Sequence, residues 1–282
     1  MKNKATILVT TDLSTHSKAG IRFAIQLAAQ TQSKLIFYDV VELLTPTSWR
    51  KEDAMKFVEN TIKTGEAQLN TFLEAIYKDY PAPSVKYETV VELGTDVDNL
   101  IINYAKQIDA DFICMSTHGA GILEKIVGTN ASSLVSYSPI PVIVVPRYYH
   151  TKRIEKIGYA SDFEHIDHEM PIIQSFAASL NAQIDVYHFN YKIHETNTKA
   201  VFEAIKNKYT AKNIVFHQPE ICLDYSLVEN LQRIIDKEKP SIMVMFTQQK
   251  DNWVDRFFSE SKTVDMSFNS KIPLLTMSKK NK

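Results

Sequence analysis

The sequence predicts an α/β protein of two tandem domains, each a five-stranded parallel sheet with helices on both faces. Two observations carry that prediction. Short β-branched runs that are apolar throughout alternate with amphipathic stretches, the pattern of strands buried on both faces between crossover helices. The pattern then repeats, so that the chain resembles itself. ILVTTDLS near the start is answered by IGYASDFE at 157–164, and Ile140-Pro141-Val142 by Ile272-Pro273-Leu274.

Taken in order, the first half places strands at about 5–10, 34–41, 84–92, 111–116 and 141–145, and helices at about 15–30, 53–79, 96–108 and 129–137. Asp12, Ser14 and Ser17 offer N-caps to the first helix, whose Ile21, Ala24, Ile25, Leu27 and Ala28 share one face. The second helix reads as an ordinary amphipathic core helix through Phe57, Val58, Ile62, Leu69, Phe72, Leu73 and Ile76. Gly94-Thr95-Asp96 ends the third strand and caps the third helix, with Val97, Leu100, Ile101, Tyr104 and Ala105 at helical spacing. The second half places strands near 155–160, 183–189, 213–217, 241–247 and 272–277. A polar, aperiodic stretch, YYHTKR at 148–153, marks the boundary, giving domains 1–147 and 153–282.

Composition excludes several classes. The 282 residues suffice for two domains, and 44% hydrophobic with 23% charged residues describes a soluble globular chain. A formal net charge of −1 gives no field that would draw nucleic acid or a lipid surface. No apolar run approaches the ~20 residues that span a bilayer, and the start, MKNKATILVTTDLS, lacks a signal-peptide layout. The expectation is a cytoplasmic protein. Two cysteines make neither a disulfide framework nor a metal site, and Cys114 reads as a small core residue. His165 and His168 read as solvated at a polar helix start.

The stretch ICMSTHGAGILEKIVGTNASSLVSYSPIPVIVVP carries the chemistry. Three of the seven glycines, Gly119, Gly121 and Gly128, fall within ten positions between a strand and a helix start. Glycine lets backbone amides approach a ligand, and a helix N-terminus favours an anion. The segment resembles the nucleotide-binding loop of the universal stress protein family, which runs glycine, two residues, glycine, nine residues, glycine, then serine or threonine. Gly119 takes the second glycine, Gly128 the third and Thr129 the hydroxyl position. Ser116 stands at the first glycine, and eight residues rather than nine separate Gly119 from Gly128. The resemblance covers nearly the whole chain as two copies. It implies Rossmann-like domains of the adenine nucleotide alpha hydrolase-like kind, holding ATP or AMP. Thr10, Thr11, Asp12 and Val40 would then surround adenine and ribose, with Met115 and Thr117 on the base and sugar side. Gly119, Gly128, Thr129 and Asn130 would hold phosphate, with Ala131 beside them. His118 reads equally as a phosphate donor or a solvent-facing loop histidine. Any Mg2+ would be held through phosphate and water, Asp12 being the nearby carboxylate.

The counterpart segment in the second half contains no glycine, and Glu260 falls opposite Gly128 with Ser261 opposite Thr129. A carboxylate there repels phosphate, so the second site reads as degenerate; Trp253, Phe257 and Phe258 read as core, with packing on the other half as the alternative. The resemblance also implies pairing through the last strand, so the halves would form an intramolecular pseudo-dimer, open to further homodimerisation. No positioned base and nucleophile and no P-loop appears, so the chain reads as a stress-response regulatory module rather than an enzyme, slow ATP hydrolysis aside. The alternative is a protein of the same fold that acts on an unknown protein partner without nucleotide. An ATP pyrophosphatase or flavoprotein subunit of the wider group is a third, disfavoured by the missing SGGxDS-type loop.

Overall fold

The computed structural model describes residues 4–43, 50–80, 85–117, 129–188, 198–220, 222, 224–225, 227–247 and 271–278. In the first half the elements are β1 (Thr6–Thr11), α1 (Lys18–Thr31), β2 (Lys34–Val41), α2 (Lys51–Asp79), β3 (Tyr87–Leu93), α3 (Val97–Gln107), β4 (Phe112–Ser116), α4 (Thr129–Tyr137) and β5 (Val142–Val145). The second half follows with β6 (Lys156–Ser161), α5 (Ile166–Leu180), β7 (Gln183–His188), α6 (Thr198–Lys208), β8 (Ile214–His217), α7 (Leu227–Glu238), β9 (Ile242–Thr247) and β10 (Leu274–Ser278).

All described strands belong to one ten-stranded sheet, ordered β3-β2-β1-β4-β5-β10-β9-β6-β7-β8. Each half is parallel within itself and has the same internal order. The halves join where β5 and β10 pair antiparallel, Val144 opposite Leu274, Ile143 opposite Leu275 and Val142 opposite Thr276. Thr276 also donates its hydroxyl to the Val142 carbonyl at 3.2 Å. The two closing strands therefore meet, as the family resemblance implied for two copies in one chain, and each covers an edge that would otherwise be open.

One apolar core lies between the sheet and α1, α2, α5 and α6, and runs unbroken through both halves, from Phe23, Leu69 and Val145 to Ile173, Phe202 and Leu275. The other lies against α3, α4 and α7, through Ile101, Leu134 and Ile234. Cys114 is fully buried in the first of these cores, on the α1 side, as expected; its thiol donates to the Gly20 carbonyl at 3.6 Å, and burial pushes its pKa well up.

Two expectations need correction. Ser17 is the N-cap of α1 by position, but its hydroxyl makes no cap bond. It faces Thr11 at 2.9 Å and donates to the Ser14 carbonyl at 2.8 Å. Three residues more of turn therefore precede the helix than the pattern placed there. The second is α2, whose buried residues are Gly65, Leu69, Leu73 and Ile76. Phe57, read as core, is 41% exposed and Met55 is 62% exposed. A 29-residue helix is about 43 Å long at 1.5 Å per residue, far longer than the strands it covers, so its first turns overhang the sheet. The Asp96 cap on α3 is as read, its carboxylate accepting from the Asn99 amide at 3.4 Å.

Candidate functional site

The carboxyl ends of β1, β2, β4 and β5 share one edge of the first half, the edge at which an open parallel sheet takes its ligands. Thr10, Thr11, Asp12, Val40, Met115, Ser116 and Thr117 all lie there or within one residue of it. The amino end of α4 begins at Thr129, with Asn130 and Ala131 in its first turn. His118, Gly119 and Gly128 lie outside the described residues, so the glycine loop enters only through its two ends.

Local chemistry fixes these ends tightly. Thr11 takes the Leu13 amide on its hydroxyl at 3.1 Å, Asp12 takes the Ser14 amide at 3.1 Å, and Ser14 takes the Ser17 amide at 3.3 Å. Leu13 sits in the left-handed region with φ 57, turning the chain from β1 towards α1. Ser116 is buried, and its hydroxyl accepts the Gly20 amide at 2.9 Å while donating to the Ser17 carbonyl at 3.3 Å. Gly20 is the third residue of α1, where a helix amide has no partner within the helix. Ser116 thus serves as a remote cap in place of Ser17, and its side chain points at α1. Thr117 is also buried, accepting the Arg147 amide on its hydroxyl at 3.3 Å. The hydroxyls of Thr11, Ser116 and Thr117 are engaged inside the fold. Asp12, by contrast, is exposed.

Sequence reasoning missed Asp39. It lies in β2 opposite Thr11, 5% exposed, a lone charge in the apolar run LIFYDVV. Burial first, and repulsion from Asp12 second, push its carboxyl up to about 6, against a lowering hydrogen bond from the Val40 backbone. A charged residue at a position whose strand neighbours alternate into the core was the available signal. Two carboxylates close together at the β1–β2 end make that end hostile to phosphate and suited to hydroxyl or amino donors. The α4 end has the opposite polarity, through its helix dipole.

The second half repeats this turn almost atom for atom. Ser161 takes the Phe163 amide at 3.1 Å, Asp162 takes the Glu164 amide at 3.0 Å, and Phe163 has φ 70. The contents differ. His188, opposite Ser161 as Asp39 is opposite Thr11, stacks on the Phe163 ring at 3.9 Å and bonds the Ser161 carbonyl at 3.1 Å. Burial holds its pKa below the usual histidine value. Phe202 and Phe216 close in around the stack. Beneath it, Tyr159 donates to the buried Glu169 carboxylate and accepts the Ser161 hydroxyl at 2.9 Å. The segment with Glu260, Ser261, Trp253, Phe257 and Phe258 lies outside the described residues. His165 and His168 are exposed, and no group of three or more metal-ligating side chains occurs among the described residues. Nor is any described helix long and apolar enough to cross a membrane.

Comparison with known proteins fits this architecture. The model of the universal stress protein family matches residues 5–146. A putative universal stress protein of Staphylococcus aureus strain USA300 is 29% identical over 140 residues, 49% of this chain and 82% of the relative. Among solved structures, a universal stress protein from Archaeoglobus fulgidus superposes with TM-score 0.68 at 13% identity, covering 98% of this chain and 99% of its own. A putative universal stress protein from Pseudomonas aeruginosa gives TM-score 0.61 at 14% identity, over 98% and 94%. Those two likenesses establish the fold across both halves. The family match, spanning half the chain and the whole of the candidate site, shows that this chain belongs to the universal stress protein family.

Proposed function

We propose that the chain is a cytoplasmic regulatory module of the stress response that binds one adenine nucleotide, ATP or AMP, in residues 1–147, and is not an enzyme. The observation that carries this reading is the polarity of the first-half edge. A carboxylate pair lies at the β1–β2 end and the amino end of α4 at the other, and in sequence the residues holding Gly119, Gly121 and Gly128 run from β4 to α4. A nucleotide laid along it would put ribose and adenine towards Asp12 and Val40 and phosphate towards Thr129. Mg2+ would sit on the phosphates with water, away from the fold's own hydroxyls. In residues 153–282 the Phe163–His188 stack fills the matching position, which supports reading that half as degenerate for nucleotide.

The test is direct. Purified full-length chain is denatured, the released small molecules are identified by chromatography and mass spectrometry, and ATP is titrated calorimetrically. The expected result is one nucleotide held at the first-half site of each chain, with binding at that site lost in Gly128→Glu. A wild type without bound nucleotide or heat of binding would favour the second reading, an interaction protein of the same fold. The engagement of Thr11, Ser116 and Thr117 inside the fold is the observation that favours it.

A further inference from the structure

A cleft of about 680 Å3 opens where the segment between the halves crosses the second half. It lies on the same sheet edge as the glycine-loop end, because β5 and β10 run antiparallel and the carboxyl end of one meets the amino end of the other. We propose that this cleft is a second binding pocket, separate from the glycine-loop site, for a small phosphorylated molecule with a planar ring.

Three features define that ligand. The floor is apolar, with Ile235 2% and Ile272 7% exposed. Tyr148 lines the cleft with 72% of its surface exposed, and the Arg147 guanidinium lies 4.5 Å from its ring centroid. A large aromatic face held open to solvent beside an apolar floor is a surface on which a flat ring stacks. The rim is cationic: Lys152, Lys239 and Lys271 line it from three separate segments, with Asp236 the one carboxylate among the lining residues, in a chain whose net charge is −1. Asp236 is itself approached by Lys271 at 3.9 Å, while Lys152 and Lys239 have no ion-pair partner among the described residues. Lys239 also holds a left-handed backbone, φ 49, just after α7. Three ammonium groups facing one carboxylate leave an excess of positive charge that a phosphate or diphosphate matches.

The closest tie to the first site is a hydrogen bond. Arg147 donates its amide to Thr117 at the end of β4, and Tyr148 is the next residue. Occupancy of the cleft therefore bears on the strand end from which the glycine loop departs.

The experiment titrates ADP and inorganic pyrophosphate into the full-length chain, the exposed-rim variant Lys239→Glu/Lys271→Glu, Gly128→Glu, and the combination, with circular dichroism confirming folding. The cleft predicts that Gly128→Glu still binds pyrophosphate, and that adding the rim changes weakens it at least about tenfold, with the wild-type site also weakening at high salt. Pyridoxal phosphate, reduced onto lysine with borohydride and mapped by mass spectrometry, should mark Lys152, Lys239 or Lys271, with pyrophosphate protecting. Absence of anion binding in Gly128→Glu, indifference to the rim changes, or label spread evenly over surface lysines would each overturn the proposal. A wild type that binds ADP no better than Gly128→Glu would overturn only the nucleotide reading above.

Discussion

Ser116 shows how a departure from a family pattern can be misread. As a letter, serine in place of glycine adds a Cβ to a ligand cradle; in the fold, its hydroxyl caps α1 through the Gly20 amide. Ser116→Gly should therefore cost about 1–3 kcal/mol by leaving that buried amide without an acceptor, and should leave nucleotide affinity unimproved. Chemical denaturation and ATP calorimetry on the variant check both halves of that statement. Asp39 gives a pH prediction. Its carboxyl rises from 3.8 to about 6 on folding, so its protonated form is the one the fold prefers. The associated stability is fully present below pH ~4 and is lost as pH rises through ~6, a difference on the order of 3 kcal/mol. Asp39→Asn should thus match wild type near pH 4 and exceed it near pH 7. Denaturation curves at the two pH values that show equal differences would refute it.

At the scale of elements, the alternation of apolar runs and amphipathic stretches was legible because each strand is buried on both faces. β2 and α4 fall where the pattern put them, since Lys34 and Gly128 bound them sharply. The start of α1 was not legible, because three candidate caps lie within six residues and only tertiary contact with β4 selects among them. Nor was the overhang of α2, whose apolar spacing continues through Phe57 beyond the end of the sheet. The close crossing of α1 over β4 has its own test. A Cβ on Gly20 would lie 3.0 Å from the Met115 carbonyl carbon and from the Ser116 nitrogen, both backbone atoms that cannot step aside. Gly20→Ala should destabilise the protein by about 1–3 kcal/mol despite alanine's better helix propensity. A variant as stable as wild type would show that α1 sits further from the sheet.

At the scale of the molecule, the seam was expected from the family resemblance applied to two tandem copies, the Ile-Pro pairs marking only where each copy closes, while the candidate site was legible only in part. The glycines and Asp12 announce themselves by type; Asp39 and the convergence of Lys152, Lys239 and Lys271 depend on which segments the fold brings together. A core running through both halves and a sheet with no break at β5–β10 predict a single cooperative unfolding transition. Calorimetry should give a van't Hoff enthalpy close to the calorimetric one, and two resolved transitions would mean that the halves melt separately.

The antiparallel seam has one more consequence. Two separate chains meeting through such strands would depend on concentration to find each other, and any inherited change would appear on both sides of the axis at once. Joined in one polypeptide, the two copies are always present in equal number, at fixed distance, whatever the expression level. A substitution then alters one side only. One copy can hold aromatic rings where the other holds a carboxylate pair, and the asymmetry is written once and preserved in every molecule.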